Sequence, residues 1–167
     1  MLRRFIMTFA IVTNLILLDQ VVKEIAVRVL KSKVSVDVIP NFFNLTYVEN
    51  RGCAWGMLQN QTWLLVSIAI IMLVLLIWRS KWFFPDGIMG RVIQVCLFAG
   101  IIGNLWDRLF RGYVVDMFDF HWGIHHFPVF NVADVFICVA AGLLIISSFC
   151  SKDDDKKENK KVEVSNG

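Results

Sequence analysis

Charge is scarce in this chain: Asp, Glu, Lys and Arg make up 19% of its 167 residues against 57% hydrophobic. Apolar runs on that scale are too long for an ordinary soluble core, which excludes a soluble globular domain. The net charge is only +3, and the basic residues flank apolar segments instead of forming one face, which excludes nucleic-acid binding. Cysteine is equally uninformative. Cys96, Cys138 and Cys150 lie in or at the end of apolar runs, where cysteine acts as a small hydrophobe, and only Cys53 lies outside them, so there is no disulfide framework. A G-x-S-x-G elbow and an H-E-x-x-H helix are both absent, and Lys23 has no serine beside it to form a Ser/Lys dyad. A lipobox is absent too, so the chain is not itself a lipoprotein.

What is present is four apolar segments. Residues 5–27, 63–78, 92–110 and 129–149 approach the roughly 20 residues that a helix needs to cross hydrocarbon, the second being the shortest. They predict an all-α membrane protein, a four-transmembrane-helix bundle in a single domain over residues 1–151. The first segment is expected to remain as an uncleaved span, because its apolar run is long, it lacks a small-x-small cleavage site, and Asp19 and Lys23 lie in its later part. Arg3 and Arg4 precede span one, Arg79, Lys81 and Arg91 bracket the turn between spans two and three, and five lysines follow Cys150. The positive-inside rule then puts both termini in the cytoplasm. Residues 152–167 are mixed in charge and nearly free of large apolar side chains, which predicts a disordered tail.

The two outer connections differ. Residues 34–39 alternate at period two, and after Pro40-Asn41 the run 42–48 is again β-rich, predicting a small extracytoplasmic hairpin or β-cradle within residues 34–58. Residues 117–128 are aromatic and histidine-rich with a turn at Gly123, which predicts an interfacial segment along the headgroups.

Placed by depth, the polar residues converge. Asp19 and Lys23 sit one turn apart near the outer end of span one, Asn50 lies just before span two, Asn104, Asp107 and Arg108 end span three, and Asn131 and Asp134 occupy the first turn of span four. Each has an ordinary structural reading. Asp19 and Lys23 form a self-neutralising pair. Asn104, Asp107 and Arg108 serve equally as interhelical glue or as substrate contacts. Asn131 is a good N-cap, with Asp134 at the third helical position. Those readings do not explain why Asp116 is carried to the same rim, nor why four separate segments choose one depth, so a shared site is the better account. Two carboxylates close enough to share one proton cannot both ionise; one activates a water while the other polarises a carbonyl.

The series Asp19-Gln-Val-Val-Lys23, Asn50-Arg-Gly-Cys-Ala-Trp-Gly56, Gly103-Asn-Leu-Trp-Asp-Arg108, Gly112-Tyr-Val-Val-Asp116 and Phe130-Asn-Val-Ala-Asp134 resembles lipoprotein signal peptidase, the bacterial type II signal peptidase family. The resemblance covers residues 19–134 in the right order between the right spans. It implies four transmembrane helices, a small outer β-cradle, and an aspartic-type peptidase that cuts diacylglyceryl-modified prolipoproteins just before the lipidated cysteine. Asp116 and Asp134 become the catalytic pair. Asp19, Lys23, Asn50, Gly52, Gly103, Asn104, Asp107, Arg108, Asn131 and Ala133 form the supporting shell, with Asn50 and Arg108 expected on the substrate near its lipidated cysteine. Two positions depart from the family pattern: Cys53, where a small residue such as alanine is commoner, and Val135, where serine is frequent.

The implied partners are those prolipoproteins and membrane lipid, in the bacterial cytoplasmic membrane with the site near its outer leaflet; no cofactor is implied, and a monomer is expected. His121, His125 and His126 crowd one loop beside Asp119, and on a helix the His121 to His125 spacing would bring two imidazoles together. The expectation is a polar interfacial loop and no metal. The other class of function is a small proton- or cation-coupled transporter with Asp116 and Asp134 as relay groups. That alternative sits poorly with spans nearly free of ionisable groups in their inner halves.

Overall fold

The computed structural model describes residues 2–33 and 35–165, and describes no side chain from Cys150 onward. Long helices dominate: α1 (Leu2–Leu30), α2 (Thr62–Trp78), α4 (Gly87–Phe110) and α5 (Val132–Ser165), with a single turn of helix, α3 (Ser80–Phe83), between α2 and α4. Three of them, over Phe5–Leu30, Gly87–Phe110 and Val132–Phe149, are long and apolar enough to cross a membrane, while Thr62–Trp78 is an apolar helix of 17 residues. Apolar side chains such as Phe5, Phe9, Ile71 and Ile77 are exposed all round these helices, as expected where the surrounding medium is lipid.

The expected boundaries move by a few residues. α4 begins at Gly87, where its φ of 86° and the preceding Asp86 start the helix ahead of the apolar run. α5 begins at Val132 instead of 129, since Pro128 and the capping Asn131 precede it. Its backbone is helical to Ser165.

The four strands form an antiparallel sheet in the order β1 (Val36–Ile39), β2 (Phe43–Asn50), β3 (Val114–Trp122) and β4 (His125–His126). The first two are the hairpin expected from alternation. The last two give residues 117–126 a strand conformation: β3 pairs with β2 from Phe43 opposite Phe120 to Asn50 opposite Val114, and turns back at Gly123, φ 60°, into β4. Phe120 stacks on Phe43 of β2 at 4.5 Å and on Phe130 at 5.8 Å, while Trp122 is exposed. Between Leu45 and Val48, β2 carries one residue more than β3, a bulge that re-aims the strands as they reach Asp116 and Asn50.

Side chains alternate across β3. Val115 and Met117 are buried against Ala26 and Leu30 of α1, which seats the sheet on that helix, and Asp116 therefore faces the other way. The helices close up at this sheet end through small residues. A Cβ on Gly100 would meet Ala133 O and Ile137 Cγ1, each at 2.5 Å, and one on Gly103 would lie 2.7 Å from Asp19 Oδ2 and 3.2 Å from the Ala133 Cβ. Gly103→Ala should therefore cost about 1–3 kcal/mol by overpacking; an unfolding midpoint in detergent equal to that of wild type would show that α1 and α5 can yield at this point.

Candidate functional site

β3 and α5 deliver the two aspartates, and α1, β2 and α4 the groups around them. β3 presents Asp116, 2% exposed, and the first turn of α5 presents Asp134. The α5 start is a reciprocal cap: Asn131 Oδ1 accepts from Asp134 N at 3.0 Å while Asp134 Oδ2 accepts from Asn131 N at 3.1 Å. The ordinary structural reading of this pair thus holds, and it leaves the rest of both side chains available.

That remainder is used to tie the carboxylates together. The buried Asn131 Nδ2 donates to Asp116 Oδ1 at 2.6 Å and to Asn104 Oδ1 at 3.1 Å, and Asn104 Nδ2 donates to Asp134 Oδ1 at 2.7 Å. Two amides, Asn104 of α4 and the cap Asn131 before α5, therefore hold Asp116 and Asp134 in one network, and Asn50 Nδ2 is a second donor to Asp116, to its Oδ2 at 2.9 Å. Burial, and next the nearby Asp134 carboxylate, push the Asp116 carboxyl up from its ordinary 3.8 to about 7, against the pull of the Asn50 and Asn131 hydrogen bonds.

That shift has two consequences. An acid whose folded pKa lies above its ordinary value binds its proton more tightly when folded, so the contribution of Asp116 to stability is fully present below about 4, declines as pH rises toward about 7, and is absent above that. Asp134→Asn should also lower the Asp116 pKa by removing the repelling charge, read from the Asp116 carboxyl resonance through a pH titration. An unchanged or higher value would mean that the two groups do not interact.

Beneath the pair lies a fully buried charged cluster. Lys23 Nζ is 2.9 Å from Asp19 Oδ2 and 3.1 Å from Asp107 Oδ2, and donates to Asn104 Oδ1 at 3.0 Å. Asp19 and Lys23 are thus a structural pair, as their spacing implies, and also the anchor of the amide that reaches Asp134. Asp19 Oδ1 accepts from Ala133 N at 2.9 Å, fixing the first turn of α5, and Asp107 Oδ2 accepts from Val115 N at 3.1 Å, fixing β3 beside Asp116. Two further residues join that the spacing did not single out. Gln20 Nε2 donates to Asp19 Oδ2 and to Gly103 O, both at 3.2 Å, and Arg111 faces Asp107 Oδ1 and Glu24 Oε2, both at 3.3 Å. Gln20 adjoins Asp19 in sequence, and nothing local marks either residue.

Asn50 and Arg108, expected on substrate, make protein contacts. Asn50 Oδ1 accepts from Gly52 N at 2.9 Å; Arg108 donates to Gly52 O at 2.9 Å and to Asn104 O at 3.3 Å, bracing the loop after β2 against α4. The histidines are not arranged as their spacing on a helix would put them. β3 and β4 form a hairpin, so His121 stands opposite His126 and stacks on it at 5.2 Å, while His126 Nδ1 lies 3.4 Å from Asp119 Oδ1. Asp119 is three residues from Asp116 and so projects from the other face of the strand.

The profile of a family described as signal peptidase (SPase) II matches residues 11–150. The lipoprotein signal peptidase of Clostridium acetobutylicum is 41% identical over 146 residues, covering 87% of this chain and 94% of that protein. The one from Syntrophotalea carbinolica is 39% identical over 154 residues, covering 89% and 94%. A solved structure, described as a bacterial membrane enzyme determined by the in meso method at 2.3 Å, superposes with a TM-score of 0.76 at 33% identity, over 89% of this chain and 90% of that one. A second, at 1.9 Å, gives 0.66 at 32% identity over 84% and 91%.

Proposed function

Because the chain belongs to the signal peptidase II family, we propose that Asp116 and Asp134 are the catalytic pair of an aspartic-type membrane endopeptidase. Family membership carries the coarser role: a bacterial inner-membrane lipoprotein signal peptidase acting on prolipoproteins. The finer reading rests on one observation. Asn131 and Asn104 link the two carboxyl groups at the sheet end of the helices, with Asp116 raised to about 7 beside Asp134.

In this reading the pair holds one proton near neutral pH. The ionised carboxylate takes a proton from a water that attacks the carbonyl preceding the lipidated cysteine. The protonated partner donates a hydrogen bond to that carbonyl oxygen, and a proton passes to the departing amine. The amides that tie the pair also limit its freedom, so little orientation is left to be lost in the transition state. Arg108, with two of its five donors engaged in the contacts above, has others free for substrate backbone.

The substrate is a lipid-anchored chain. With α2 as a fourth span, both termini cytoplasmic and the sheet external, an apolar signal helix enters laterally from lipid while its diacylglycerol stays in the outer leaflet, setting the depth of the scissile bond. A relay transporter is the poorer reading of the same aspartates, because the polar network is confined to the sheet end of the helices.

The purified protein should cleave a diacylglyceryl-modified prolipoprotein and leave the unmodified precursor intact, with turnover unchanged by chelators. His121, His125 and His126 replaced together by alanine should at most weaken docking. Loss of activity on chelation, restored by added zinc, would replace this mechanism with metal-assisted hydrolysis.

A further inference from the structure

At the end away from the sheet, α1 and α4 part. They are held together near Asp19, Lys23, Gly103 and Asn104, but toward their N-termini a groove of about 650 Å³ opens between them, within the range of ligand pockets. Its walls are mostly apolar, with Met7, Ile11 and Leu15 on α1 and Val92 and Val95 on α4, and Arg3 and Arg91 also line it. Neither arginine has an ion-pair or hydrogen-bond partner among the described residues.

The geometry points to a binding site for an anionic glycerophospholipid, one acyl chain lying in the groove and its phosphate held between Arg3 and Arg91. Charge decides among occupants. Guanidinium groups recognise phosphate oxygens through paired donors, and basic residues near the membrane surface attract anionic lipid. A signal helix would bring its own positively charged leading end to the same two arginines and be repelled. The groove therefore selects lipid by headgroup and leaves the substrate to the sheet end. The site does not depend on the catalytic assignment of Asp116 and Asp134.

The test is native mass spectrometry of the full-length protein released from nanodiscs of phosphatidylglycerol and phosphatidylcholine. Wild type should retain phosphatidylglycerol in preference to phosphatidylcholine. Arg3→Gln with Arg91→Gln should lower that retention about tenfold or more while leaving phosphatidylcholine unchanged. Val92→Trp, which fills the groove and keeps both charges, should also lower it. Arg79→Gln removes a charge that lies over the Trp78 ring outside the groove and should have no effect. The proposal fails if wild type shows no headgroup preference, if the double variant retains phosphatidylglycerol as wild type does, if Val92→Trp does, or if Arg79→Gln loses as much as the double variant. Prolipoprotein cleavage by the same preparations reports separately on the aspartates.

Discussion

Asp116→Asn and Asp134→Asn should each cut prolipoprotein cleavage by about 10²–10⁴, the value of general acid–base help, while leaving the protein folded and membrane-inserted. Asn is nearly isosteric with Asp and keeps one acceptor oxygen, so one of the Asn131 and Asn50 amides can still donate to residue 116, and one of Asn131 N and Asn104 Nδ2 to residue 134, the other donor being lost in each case. What is lost is the shared proton or its acceptor. The two groups act as a unit, so the double variant should be scarcely worse than either single one. Asp119→Asn is the control, three residues along the same strand and on its opposite face, and it should cleave at close to the wild-type rate. In wild type, kcat/KM should fall as pH rises past about 7, where Asp116 gives up its proton. Wild-type rates in both single variants, or an Asp119→Asn protein as inactive as they are, would end the catalytic assignment.

Lys23→Met should destabilise the protein by about 3–5 kcal/mol, a large share of the roughly 5–15 kcal/mol that holds a typical domain folded. Lys23 is fully buried between two fully buried carboxylates. Removing it leaves Asp19 uncompensated and Asp107 with Arg111 alone, and releases Asn104 Oδ1 from one of its two donors. The unfolding midpoint in detergent measures the loss. Adding Asp19→Asn to Lys23→Met should restore part of it, since the amide oxygen still accepts from Ala133 N and one stranded charge is gone. A Lys23→Met protein as stable as wild type, or a double variant no better than the single one, would show that the pair is not held as an ion pair at all.

These two effects also separate what a local reading can see. Asp19 and Lys23 announce each other at a spacing of four, and Asn131 and Asp134 at a spacing of three, because a helix repeats every 3.6 residues and both pairs lie on one helix. The contacts that unite them are spread along the chain: Lys23 with Asn104, Asn104 with Asn131, and Asn50 with Asp116 are 81, 27 and 66 residues apart. Convergence at one depth could still be inferred, since span direction and distance along each helix place a residue between the two faces of a bilayer. Which side chains touch could not, because depth does not specify rotation about the helix axis.

The sheet shows the same division. Alternation in residues 34–39 and 42–48 is a period-two signal and marks β1 and β2 directly. β3 has little such signal, because Val114, Val115, Asp116 and Met117 are all buried, between β2, α1 and the site, and a strand covered on both faces does not alternate. That β3 is a strand follows only when β2, more than 60 residues earlier, is placed beside it. Local sequence settled the apolar helices, their caps and the residue types able to do acid–base chemistry, since each depends on neighbours within one or two turns or on the length of a hydrocarbon-crossing run. Tertiary structure alone decided that Asp116 turns away from α1, that Lys23 is shared by two carboxylates, and that Asn50 and Arg108 both meet Gly52. Each of those depends on strand register and helix rotation, which are set by packing between distant segments.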